Sequence, residues 1–334
     1  MLCRILSGLA LILLTLFVAQ PAVQAQRGGG GAIPAGTIYF TSDSSPQSMK
    51  ADGSGKVTTT GGVPSYQKHG SRWFLQSLYV DFEEHGVDEY GSPVYWSLYD
   101  VVAVSETGAV VSLGTARGFD VGYCKWGKDD SFISFTTAVD TNGVVTGGLV
   151  VIPVTWVDNS PVAGQPIAAL GVLTSVYGDV NLFNHDWSGA GDEVVFQAMD
   201  PDTGGWLLYV ADFSGAGVVI ENLAEGVNPD WSAGNGRIAY SRRVFLAGDI
   251  STEIWTVDSD GTSPARVTQA TASSSSRRFQ GAPSWSPDGT LIVYTDVYTK
   301  GSKTTRNVMR VSAAGGTATA LTTDGKSTSP RWRP

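Results

Sequence analysis

Cysteine is scarce in this sequence of 334 residues, which holds two. Cys3 precedes the one long apolar run, and Cys124 has no internal partner once that segment is removed. An internal disulfide is then excluded, so stability has to come from a core, which roughly 300 residues are enough to bury. An isolated cysteine such as Cys124 is expected to be a buried, inert thiol. Histidine is also sparse: His69, His85 and His185 stand far apart, which speaks against a three-histidine metal centre. Charged residues make up 16%, with a formal net charge of -9 and no basic block, so neither nucleic acid nor an anionic membrane surface is expected as a partner. No G-x-S-x-G occurs, which removes the nucleophile elbow of the serine hydrolases.

Long apolar runs are missing as well, apart from one. Ile5 to Ala19 follows Arg4 and leads to the small-residue exit Ala22-Val23-Gln24-Ala25, the pattern of a secretory signal peptide. At 15 residues the run falls short of the about 20 that cross a bilayer core. Residues 1–25 are therefore expected to be a signal peptide cleaved after Ala25, and residues 26–35 a flexible glycine-rich leader. Residues 36–334 then form a monomeric domain exported to the periplasm or the exterior, with no membrane span.

What is abundant is glycine (41) and aromatics (Trp 10, Tyr 12, Phe 12), the mark of turns and packed strands and hence of an all-β fold. The segments 281–296 (GAPSWSPDGTLIVYTD), 226–241 (GVNPDWSAGNGRIAYS) and 182–197 (LFNHDWSGAGDEVVFQ) align without a gap. Each runs from a tryptophan through a glycine turn to an aromatic nine residues on, Trp285 to Tyr294, Trp231 to Tyr240 and Trp187 to Phe196, and Trp126 to Phe135 keeps the same offset. Degenerate copies begin at Tyr66, where Leu75 replaces the aromatic, and at Trp332. The anchors 66, 126, 187, 231, 285 and 332 are 60, 61, 44, 54 and 47 residues apart, which are blade lengths. Strand-like runs behind each anchor (in the last full copy Leu291–Tyr294, Val308–Val311 and Ala318–Thr322) make four strands per unit. The segment GTIYFTSD (36–43) lacks a first strand, and Thr328 to Trp332 is that strand. The expected fold is a six-bladed β-propeller of four-stranded blades, closed by the C-terminal strand beside the N-terminal blade, which leaves no free sheet edge at the seam.

The copy Pro283-Ser284-Trp285-Ser286-Pro287-Asp288-Gly289 is similar to the P-x-W-S-P-D-G signature of the TolB-like, or WD40-like, β-propeller repeat. Pro229-Asp230-Trp231-Ser232 and Asp186-Trp187-Ser188 match it in part. The resemblance extends from about residue 36 to the end. It implies that the tryptophan strand is innermost, with the other three following outward, and a scaffold that binds proteins or peptides at one end of its channel. TolB proteins carry an α/β domain ahead of the propeller, whereas blade strands here begin directly after the glycine leader, so TolB's own partners are not carried over. Peptidase relatives of the repeat need a hydrolase domain. Oligogalacturonate-lyase-like propellers need a histidine-rich metal site.

Insertions fall on the face that carries the second-to-third strand connections: Leu78 to Tyr95, Ala138 to Gly148, Arg243 to Thr252 and Val297 to Arg306. Decorated loops on a rigid ring are where binding resides, so the site is expected on that face, at the channel mouth. The segments before each tryptophan supply Tyr123, Lys125, Asn184, His185, Asp186, Asp230 and Arg278 as candidate binding residues for a protein, peptide or glycan. No catalytic residue and no cofactor is expected. The alternative is a metal-assisted polysaccharide lyase or hydrolase using His185, Asp186, Asp230 and Arg278. The acidic insertion, with Asp81, Glu83 and Asp88, is the one cluster of hard ligands for calcium or another divalent cation, although it lacks the alternating oxygen spacing of a calcium loop. His69, at a glycine turn, is expected to be exposed.

Overall fold

The computed structural model describes residues 35–87, 90–118, 124–141, 144–170, 182–200, 203–214, 219–273 and 275–334. The chain divides into two compact units, Met1–Ala32 and Ile33–Pro334, and all that follows concerns the second. The expected signal peptide, and all but the last residue of the expected leader, lie outside the described residues.

Every regular element among the described residues is a strand. In chain order, β1 (Thr37–Ser42), β2 (Ser45–Lys50) and β3 (Val57–Thr58) begin the first blade, and β4 (Val63–Pro64), β5 (Trp73–Val87), β6 (Pro93–Ser105) and β7 (Val110–Gly118) form the second. The third holds β8 (Lys125–Trp126), β9 (Phe132–Thr141) and β10 (Val144–Val157), with β11 (Ser160–Ala163) and β12 (Ile167–Leu170) both pairing with β10. The fourth is β13 (Leu182–Trp187), β14 (Glu193–Met199), β15 (Trp206–Asp212) and β16 (Val219–Glu225). The fifth is β17 (Val227–Trp231), β18 (Ile238–Leu246), β19 (Asp249–Val257) and β20 (Ala265–Arg266). The sixth is β21 (Ser276–Trp285), β22 (Leu291–Lys300), β23 (Lys303–Ser312) and β24 (Thr319–Ala320), after which β25 (Ser327–Arg333) returns to the first blade. Hydrogen bonding groups these into five sheets, one of eight strands. The eight-stranded sheet is two blades joined by the single parallel pair Thr252↔Phe279, and dividing it there gives six units.

Closure takes the expected form: β25 pairs antiparallel with β1, Ile38 opposite Trp332 and Thr41 opposite Thr328. Ile38, Phe40 and Met49 of the first blade bury against Val293 and Val308 of the sixth, with Trp332 among them. The other cores likewise lie between neighbouring blades, as when Trp73 and Leu75 of the second meet Trp126, Ile133 and Phe135 of the third. The repeat's aromatic endpoint is thus an inter-blade residue: Phe135, Phe196, Tyr240 and Tyr294 are all buried.

The glycine turns are set by the residues that follow each tryptophan. Ser188 Oγ accepts from the Gly191 and Glu193 amides, Ser232 Oγ from Gly234 and Asn235, and Ser286 Oγ from Leu291. Gly191, Gly236 and Gly289 take φ of 78°, 72° and 70° at the same turn, a region that glycine enters without a Cβ penalty.

One expectation is corrected. The insertions in blades two, three, five and six are not loops but extensions of the second and third strands into long hairpins: Tyr79 pairs with Tyr99, Ala138 with Gly147, Val244 with Ser251 and Val297 with Arg306. Alternating residues with a short turn at the tip let the ladder continue beyond the core. One face of the ring therefore carries hairpin tips, and the other the short first-to-second and third-to-fourth turns.

Candidate functional site

The residue before three of the repeat tryptophans is a clasp to the next blade, and two of these, Asp186 and Asp230, were read from sequence as possible ligand contacts. Asp186 accepts the Trp231 amide at 2.7 Å, Asp230 the Trp285 amide at 2.9 Å, and Ser284 Oγ the Trp332 amide at 3.1 Å. Trp285 Nε1 returns a bond to the Asp230 carbonyl at 3.0 Å. The alternation of a strand explains the division of labour: at adjacent positions the tryptophan faces the preceding blade and the carboxylate the following one.

Around Asp186 the clasp becomes a buried charge network. Lys128 Nζ lies 3.2 Å from its carboxylate, 2.8 Å from the Tyr66 hydroxyl and 2.9 Å from the Trp231 carbonyl, so its donors are fully used. Lys125 Nζ stands 3.8 Å from the same carboxylate. Burial alone would raise the Asp186 carboxyl, but Lys128 and then Lys125 hold it well below the usual carboxylate range. Burial pushes Lys125 down to about 8 against the pull of Asp186. The same burial is outweighed at Lys128 by Asp186, Tyr66 and Asp230, which keep it above the ordinary lysine range.

Blades one and two are joined by arginines. Arg333 stacks its guanidinium 4.1 Å from the Tyr66 ring centroid and donates to the Pro64 carbonyl. Arg72 donates to the carbonyls of Ser65, Tyr66 and Pro334. Blades two and three meet at Asp130, whose carboxylate accepts the Tyr66 and Gln67 amides. Burial lifts Asp130 to about 6 despite those two bonds.

These contacts frame a cavity of about 270 Å³ at the short-turn end of the channel. Tyr66 and Gln67 enter from blade two, Lys128 from blade three, Asp230, Trp231 and Ala233 from blade five, Trp285, Ser286 and Pro287 from blade six, and Trp332, Arg333 and Pro334 from the closing strand. Three indoles and two prolines line a space rimmed by two cations, one carboxylate and an amide. Sequence reasoning looked to the other face, where a polar groove of about 450 Å³ lies beside Asp249, Ser273, Arg277 and Thr299 on the hairpins of blades five and six.

Of the sequence-derived candidates, Lys125, Asp186 and Asp230 belong to the clasp network of the short-turn end. Asn184 is buried and donates weakly to Asn228 Oδ1 at 3.4 Å. His185 is buried against blade three with Nε2 2.7 Å from Ser134 Oγ, which also accepts from Trp187 Nε1. Burial and the neighbouring Lys125 push its pKa down to about 3, so it is neutral. Arg278 is held elsewhere, by Asp296 at 3.3 Å and over the Tyr298 ring. Tyr123 and Asp88 lie outside the described residues. Asp81 is exposed on β5, and Glu83 pairs with Arg117 at 3.0 Å; among the described residues no three metal-ligating side chains gather. His69 is not exposed as expected but stacked 3.5 Å from Trp156. Arg72, Lys128 and Arg333 went unnoticed in the sequence, and Tyr66 was read there as a repeat anchor and not as a site residue.

No family model matches the chain, and no curated protein matches it either. Solved structures do. TolB from Acinetobacter baumannii superposes with a TM-score of 0.55 over 90% of this chain and 67% of its own, at 16% identity. A putative TolB from Agrobacterium tumefaciens gives 0.51 over 91% of this chain and 100% of its own, at 15% identity. An oligogalacturonate lyase from Vibrio parahaemolyticus aligns at 0.41 with 9% identity, over 86% and 72% of the two chains, too loosely to carry chemistry. The likeness to the two TolB structures is one of fold: this chain has the TolB-like β-propeller fold.

Proposed function

We propose that this propeller is an exported binding module that receives a segment of another protein, or a peptide, at the short-turn mouth of its channel. The observation that carries this reading is the cavity itself, in which Trp231, Trp285 and Trp332 line the wall together with Lys128, Arg333, Gln67 and Asp230. Apolar walls with a few placed polar groups suit a side chain entering with its polar backbone held at the rim. The charged groups nearby already have structural work: Asp186 and Asp230 hold the next blade, and Lys128 has spent its donors. Export rests on Arg4, the apolar run Ile5 to Ala19 and the exit at Ala22 to Ala25.

A metal-assisted lyase would need His185, Asp186, Asp230 and Arg278 in one site. His185 is turned to Ser134 and Arg278 is tied to Asp296, which favours binding over that chemistry.

Panning a displayed random-peptide library against the purified protein tests the reading. Ala233 is exposed at the cavity wall, so Ala233→Trp fills the mouth without entering the core. Enriched peptides should lose affinity for this variant. Peptides that bind parent and variant alike, or no enrichment, would contradict the mouth as the site.

A further inference from the structure

A second feature, independent of the mouth, lies on the hairpin face. β5 has a partner on its inner side only at Phe74 and Leu75, where β4 ends. Beyond them the Gly61 carbonyl still accepts Gln76 Nε2 and Cys124 Sγ accepts Ser77 Oγ, and from Leu78 onward β5 is paired with β6, with no described strand on its other side. An antiparallel ladder with one neighbour uses alternate backbone groups, so the remainder of this stretch points outward. Three outer edges are blunted by contrast, β3, β20 and β24 being two residues each, the usual protection against unwanted pairing.

This edge is also apolar. Leu78, Tyr79, Val80 and Phe82 are 44%, 58%, 61% and 56% exposed, with the Tyr79–Tyr99 and Phe82–Tyr95 ring pairs displayed on the same ribbon. Between and beside them stand the carboxylates of Asp81, Glu83 and Glu84. A second copy meeting this edge would set like charges against one another, which disfavours self-pairing. Opposite charge is welcome: Arg117 already reaches Glu83 at 3.0 Å. We infer that the free edge of β5 between Leu78 and Glu84 is a strand-addition site for an extended, lysine- or arginine-bearing segment of a partner protein. Main-chain bonds would supply affinity and the alternating side chains selectivity.

The test uses a fluorescently labelled peptide alternating lysine with valine, titrated into the full chain by anisotropy. Val80 is the bulged residue between the pairs Tyr79↔Tyr99 and Asp81↔Leu98, so Val80→Pro blocks the edge while sparing the ladder to β6. Saturable binding is expected, weakened about tenfold or more by Val80→Pro and by N-methylating alternate peptide amides. Because Asp81 and Glu84 are exposed, the double variant Asp81→Lys, Glu84→Lys should stay folded and prefer a glutamate–valine peptide, a readout that does not depend on the proline variant. Absence of saturable binding, or binding indifferent to N-methylation and to charge reversal, would overturn the proposal. So would a dimer in sedimentation that Val80→Pro dissolves, since the occupant would then be a second copy.

Discussion

Replacing His185 by glutamine should flatten the acid limb of the stability profile. The imidazole is fully buried, and burial together with Lys125 brings its pKa to about 3, against an ordinary value near 6.5. It is therefore neutral when folded and takes up a proton on unfolding. Its contribution is complete above pH 6.5 and is lost as the pH falls towards 3, at about 1.4 kcal/mol per unit, which amounts to about 2 kcal/mol at pH 5. Asp130, lifted by burial to about 6, titrates in the same range, so the useful quantity is a difference of differences. Urea unfolding of parent and His185→Gln at pH 7 and pH 5 provides it. The parent should lose about 2 kcal/mol more than the variant over that interval. Equal losses in the two proteins would mean that His185 can reach water or a proton acceptor in the folded state, and the assigned packing against Ser134 would be wrong.

Asp186→Asn should cost about 3 to 5 kcal/mol, because it leaves Lys125 and Lys128 buried without their shared counter-charge; a chemical-denaturation midpoint close to that of the parent would contradict the network. Trp332→Ala should cost a similar 3 to 5 kcal/mol by opening the core between the first and sixth blades. Pro287→Ala, in the half-buried turn after Trp285 of the sixth blade, should change stability by less than about 1 kcal/mol in the same assay. Fractionation of cells expressing the full chain should find the protein outside the cytoplasm and shortened at its N-terminus, and a full-length cytoplasmic product would refute export.

The ring was legible because its signals are local and recur. Trp187, Trp231 and Trp285 each open a glycine turn that leads to an aromatic at a fixed offset of nine residues, and Thr328 to Trp332 visibly completes Thr37 to Phe40. The hairpins were misread because Val297 to Arg306 carries mostly polar residues on both sides and Arg243 to Thr252 an unbroken apolar run, Val244-Phe245-Leu246-Ala247, so neither shows the alternation that marks a ladder. The candidates Lys125, Asp186 and Asp230 were expected towards the hairpin face, whereas they lie at the short-turn end, for a related reason. Sequence shows where insertions are, but not that Lys128, Arg333 and Arg72 turn inward, since a buried cation is recognised only by the partners that tertiary structure brings to it. Asp186 and Asp230 were singled out as ligand contacts, whereas their role as clasps depends on the next blade's amide, which no motif within one repeat can reveal.

The mouth exists only if the closing strand brings Trp332 and Arg333 beside Tyr66 and Trp285, and a cross-strand disulfide tests this directly. Thr41 and Thr328 face each other in register, within the Cα separation that a disulfide accepts. With Cys3 and Cys124 replaced by serine, the chain bearing Thr41→Cys and Thr328→Cys should oxidise to a single internal bond while folded, and its melting temperature should fall on reduction. Two thiols that stay free under the same oxidation would contradict the closed ring and, with it, the binding site at its mouth.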